Sequence, residues 1–121
     1  MIAYLFAAIS TISCAKNDNM TLNLSGEWGV VENTLYVNDS LYSSQQLNEI
    51  NTHYYFNGNV DEVAIKNDGV IEHYNCTYNK ELNELVIGEA MTYSVEWITP
   101  DAVYFHRYYG IHHSRYKLLL E

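Results

Sequence analysis

Five histidines and two cysteines are the residues of this chain best equipped to hold a metal or attack a substrate. Three of the histidines fall in the segment "FHRYYGIHHSRY", which reads as a β-hairpin. A two-residue turn at Tyr109-Gly110 places His106 directly opposite His113. Opposed residues in antiparallel strands bring their Cβ atoms to about 4.5–5.5 Å, close enough for two imidazoles to share a metal. His112 faces the other way, because successive strand residues point to opposite sides of a sheet. No acid or cysteine close in sequence completes a tetrahedral set, and two ligands are too few. The expectation is a chain without a metal or other cofactor.

The remaining reactive groups are poorly placed for catalysis. Cys76 is in phase with Tyr74 and Tyr78, whereas His73, the nearest base, is out of phase with it. A lone cysteine on an apolar strand face behaves as a small buried hydrophobe. The acids Asp61-Glu62 are adjacent, and Glu81 and Glu84 flank a turn, so neither pair makes the facing dyad that glycoside hydrolysis requires. The sequence contains no nucleophile elbow, phosphate loop or HExxH motif. These features argue against an enzyme.

Aromatic residues are the best candidates for a binding site: the chain carries 12 Tyr, 2 Trp and 3 Phe. Trp28, Tyr54, Phe56, Tyr74, Tyr78, Tyr93, Trp97, Phe105 and Tyr116 are mostly in phase within their predicted strands. Ligand pockets are lined by apolar and aromatic groups with a few polar handles, which tyrosine hydroxyls supply. The same rings could instead fill a small barrel. Exposed tyrosines would then meet a partner protein or glycan, since Tyr offers contact area at low entropic cost.

The elements that position these residues are strands. With 121 residues the chain is one domain. Apolar residues alternate at period 2, and turn signals recur every 8–12 residues or so, the pattern of an all-β barrel or sandwich. "GEWGVVENTLYV" is a first strand, bulged where its apolar phase changes. Further strands are "THYYF", ending at an Asn57-Gly58 turn, "VDEVAIK", ending at Asn67-Asp68-Gly69, "VIEHYNCTY", "NELVIG" and "MTYSVEWI", followed by a turn at Thr99-Pro100-Asp101. "AVYFHRYY" and "SRYKLLL" complete about eight strands. "DSLYSSQQLNEIN" departs from the pattern: Ser43 and Gln46 form a weak capping box, and Leu47 and Ile50 lie one helical turn apart, predicting one short helix. The expected fold is all-β, an antiparallel up-and-down barrel, because closure removes exposed edges.

Net charge is −9, from 15 acids against 6 bases. That field repels phosphate backbones, so no nucleic-acid partner is expected. Residues 2–12, "IAYLFAAISTI", form an apolar run too short to span a bilayer but suited to the core of a secretory signal. Ser13-Cys14 at its end resembles the lipobox of bacterial lipoproteins, with Cys14 as lipid acceptor, although Thr11 stands where that family has Leu and no basic residue precedes the run. The resemblance implies a signal peptide over 1–13, a lipidated tether over 14–23 and a domain over 24–121. It also implies attachment to the outer membrane of a Gram-negative cell through the lipid alone.

The stretch "LNLSGEWGVVE" resembles the opening of lipocalin-like domains, with Leu24, Gly26 and Trp28 at the three motif positions. The later strand order is similar to small lipocalin-like lipoproteins of Bacteroidetes. Arg107 and Arg115 are both candidates for the basic residue that packs on the tryptophan in that family. The resemblance implies an antiparallel barrel with an apolar pocket for a small ligand. It leaves the ligand and the oligomeric state open.

Overall fold

A computed structural model describes residues 22–121. The 1–13 leader, Cys14 and most of the tether lie outside the described residues. Nine strands follow in order: β1 (Gly26–Val37), β2 (Ser40–Gln46), β3 (Thr52–Phe56), β4 (Glu62–Asn67), β5 (Val70–Asn79), β6 (Glu84–Ile87), β7 (Met91–Thr99), β8 (Ala102–Tyr109) and β9 (His112–Leu120). From β3 to β9 each strand pairs antiparallel with the next, and β9 returns to pair with β1 along its length. The first part of β1 (Gly26–Gly29) pairs with β3, which closes an eight-stranded barrel. The fold is all-β, as the alternation predicts.

The ninth strand corrects the sequence reading. Residues 40–46 form β2, an exposed edge strand paired with Glu32–Val37 of β1, and no helix occurs among the described residues. Asn38 and Asp39, both at positive φ (51° and 63°), make a two-residue turn that sends the chain straight back along β1. Asn and Asp tolerate that conformation, and two successive positive φ values suit a hairpin. Tertiary pairing thus overrides the weak capping signal. Leu47, read as part of the helix, donates its backbone N–H to Val31 O at 3.0 Å and packs against the core.

β1 serves both parts of the sheet because of a bulge. Its register against β9 shifts between Lys117 and Leu118, skipping Val31. Trp28 and Val30 face inward before the shift, Asn33 and Leu35 after it, which is the phase change read from the sequence. The Asn57-Gly58 expectation needs correction too. The chain makes a longer loop there, and the residue at positive φ is Val60 (52°), not Gly58. Asn57 Oδ1 accepts from the backbone N–H of Asp61 and Glu62, which holds the loop while Val60 packs on the core.

The core fills the lower part of the barrel. Trp28, Leu24, Leu85, Ile87, Val103, Phe105 and Leu118 are fully buried. Trp28 Nε1 donates to Leu24 O at 2.8 Å, so the indole pins the segment preceding β1 beneath the barrel. Its edge-on ring partner is Trp97, at 6.0 Å between centroids. Neither Arg107 nor Arg115 takes the place over Trp28: their guanidinium groups lie over Tyr109, and over Tyr104 and Tyr36, respectively.

Candidate functional site

The nine aromatic positions sort into two groups by burial. Trp28, Tyr54, Phe56, Tyr93 and Phe105 are buried and belong to the core. Phe105 meets Tyr54, Phe56 and Tyr93 at ring-centroid distances of 5.6, 6.4 and 5.6 Å, so these rings pack on one another. Tyr74, Tyr78, Trp97 and Tyr116 are half-buried around them. Tyr78 accepts from Trp97 Nε1 at 3.1 Å and donates to Asn83 Oδ1 at 2.8 Å, which ties the lower rim together. The Tyr74 hydroxyl turns outward to Glu72 at 2.9 Å.

At the opposite end the inward face carries polar residues, among them Asn33, Arg107 and Ser114. There β1, β2, β8 and β9 rise above the packed rings and enclose a cleft of about 320 Å³, lined by Asn33, Leu35, Ser43, Gln45, Tyr109, Ser114 and Tyr116. Ser114 is buried, and its hydroxyl is 2.9 Å from that of Tyr109. Arg107 shares the inward face of β8 with Phe105 and stands opposite Ser114 in the ladder. Its guanidinium carbon is 5.6 Å from the Tyr109 ring centre. The ion pairs among the described residues all use histidine, so Arg107 has no carboxylate partner there.

Tyr54 and Tyr93 form the floor beneath Arg107. Burial holds the Tyr54 hydroxyl well above the usual phenol range, with neighbouring Tyr93 adding to the effect and Arg107 opposing it. Burial also raises Tyr93. Both are neutral hydrogen-bonding groups at any physiological pH. Arg107 was visible in the sequence only as a candidate partner for Trp28; its inward phase with Val103 and Phe105 was the overlooked signal.

On the outer wall the histidine pair meets, though in a different register. The turn is Gly110-Ile111, with Gly110 at φ 61°, so Tyr109 pairs with His112 and His113 with Tyr108. Glycine takes the first central position, as in a II′ turn, which moves the loop one residue along the chain. His106 and His113 are then diagonal neighbours on one face, and His106 Nδ1 is 2.8 Å from His113 Nε2. A carboxylate does lie nearby, contrary to the sequence reading: Glu96 Oε1, from β7, is 2.7 Å from His106 Nε2. His113 stacks between Tyr108 and Tyr36 at 4.2 and 5.0 Å. Because the ring faces cover one another, this face offers a partner mainly ring edges.

Cys76 is a buried free thiol whose Sγ contacts Val60 O at 3.5 Å. Burial, aided by Asp61 and Glu62, pushes it up to about 11, so it is not a nucleophile at neutral pH. Comparison with known proteins gives no match: no family model, no curated protein and no solved structure is similar to this chain.

Proposed function

We propose that this protein is an envelope-anchored barrel that captures a small ligand at its open end, a molecule with an aromatic or apolar body and an anionic group. The observation that carries the reading is Arg107. It is an inward-facing cation at the mouth of the barrel, next to a cleft lined by tyrosine, serine and amide groups, without a carboxylate partner among the described residues. Removing a guanidinium from water is costly unless an anion compensates it, and a bidentate carboxylate matches its fork of donors. The packed rings of Tyr54, Tyr93 and Phe105 close the barrel below, so the ligand rests in the mouth and does not thread the interior. Lipidation at Cys14 would anchor the barrel through the segment that enters it at the closed end, so the mouth would face away from the membrane.

Native mass spectrometry of protein purified from its own host tests this reading. A co-purifying carboxylate supports it, and repeated preparations free of small molecules count against it. A second reading, docking of a partner protein, is favoured by one observation. Leu41, Tyr42, Tyr108 and Ile111 are exposed together at the tips of the β1–β2 and β8–β9 hairpins, which Asn38 N–H joins to Ile111 O at 2.8 Å. A Tyr108→Ser, Tyr42→Ser variant that keeps ligand but loses its partner would establish that role.

A further inference from the structure

A second polar cluster occupies the outer wall, away from the mouth, where β1 and β3 meet the end of β9. His53 Nδ1 is 3.0 Å from Glu121 Oε1 and 3.5 Å from Glu27 Oε2. One atom from each of the three side chains lies within 4.8 Å of the other two. Zinc holds nitrogen and oxygen ligands at about 2.0–2.2 Å in tetrahedral geometry, which separates neighbouring ligand atoms by roughly 3.3–3.6 Å. The 3.5 Å spacing falls in that range, and the 3.0 Å spacing is a few tenths of an ångström short of it.

The backbone builds this convergence from distant parts of the chain. His53 stands opposite Gly29 in the β1–β3 ladder, two residues along β1 from Glu27 and on the same face. The Glu121 N–H donates to Glu27 O at 2.8 Å, which fixes the end of the last strand beside β1. At Gly29 a Cβ would collide with the Glu121 carboxylate and the Ile50 side chain, so the absence of a side chain lets the carboxylate fold over the strand.

The second imidazole nitrogen supplies independent evidence. His53 Nε2 lies 3.2 Å from Ile50 O. A carbonyl oxygen only accepts, so Nε2 carries the hydrogen, and in the neutral ring the lone pair of Nδ1 points at the two carboxylates. With Nδ1 unprotonated, its lone pair and the two carboxylates converge on one point, an arrangement that a bound cation stabilises. A ring N–H given to a backbone carbonyl is also how metal-binding histidines are held in the correct tautomer.

We propose that Glu27, His53 and Glu121 bind one divalent transition-metal ion of the zinc type, through His53 Nδ1 and one oxygen of each carboxylate, with water in the fourth position. Calcium and magnesium take all-oxygen ligand sets and are disfavoured by the imidazole. The ion clips the end of β9 to β1 and β3 from outside the barrel.

Titration calorimetry of the metal-stripped mature chain with zinc sulfate tests the site. Saturation at one equivalent is expected, with a thermal transition that rises in the same preparation. His53→Ala, and separately the near-isosteric Glu121→Gln, should weaken binding at least tenfold while the circular dichroism spectrum stays unchanged. A His106→Ala, His113→Ala variant should titrate like the parent, and excess calcium should not displace the zinc. Absence of saturable binding, full affinity in either variant, loss of binding in the His106/His113 variant, or displacement by calcium would overturn the assignment.

Discussion

Single residues divide into those whose chemistry is suppressed by burial and those left available. Cys76 belongs to the first kind: with its thiol pushed up to about 11, the reactive thiolate is rare at pH 8. In a Cys14→Ser chain, a disulfide reagent should label Cys76 slowly in the native state and at once in denaturant. Rapid native labelling would show that the strand face opens. His113 is a subtler case. Burial first, then His106 and Arg115, lower its proton affinity in the folded chain. The unfolded chain therefore takes up that proton first as pH falls, so the contribution of His113 to stability is complete above its unfolded value of about 6.5 and declines below it. Melting temperature should fall less steeply between neutral and mildly acidic pH in His113→Phe than in the parent, and parallel profiles would refute this. The sequence revealed that His106 and His113 share a face. It did not reveal Glu96, which arrives from β7 through a pairing no local spacing encodes.

At the level of elements, strand identity was legible because alternation records which face is buried. Tyr93, Val95 and Trp97 point inward as their period predicts, and the phase change in β1 marks its bulge. β2 was not legible. Its residues are all exposed, so no buried face imprints a period, and helical spacing at Leu47 and Ile50 was the strongest local signal left. What makes β2 a strand is the Asn38-Asp39 turn. Asp39→Gly should raise stability by up to about 0.5–1 kcal/mol, since glycine adopts φ 63° without strain but adds freedom to the unfolded chain. Denaturant unfolding reads this directly, and a clear loss of stability would mean the Asp39 side chain matters more than its backbone. The core responds in the opposite direction. Phe105→Ala removes the ring that contacts Tyr54, Phe56 and Tyr93 and should cost about 3–5 kcal/mol.

For the whole molecule, closure of β9 onto β1 is the feature from which the rest follows. It buries the aromatic rings in the lower barrel and leaves the upper ends of β1, β2, β8 and β9 as a mouth. Composition and period pointed to the barrel. Whether its rings would line a pocket or pack together was undetermined, because that depends on strand tilt and on how far each ring lies from the rim. The mouth escaped notice for a related reason: Asn33, Ser43, Gln45 and Ser114 read as solvent-facing, and only the β1–β2 hairpin brings the first three, still exposed, beside the buried Ser114. In the proposed function Arg107 receives an anionic group there. Titration calorimetry of the parent and of Arg107→Gln with 4-hydroxycinnamate, against the corresponding neutral amide, measures it most directly. Saturable binding of the carboxylate by the parent is expected, with a loss of at least tenfold in Arg107→Gln and little binding of the amide by either. Equal affinity of parent and variant for the carboxylate, or no binding at all, would contradict it.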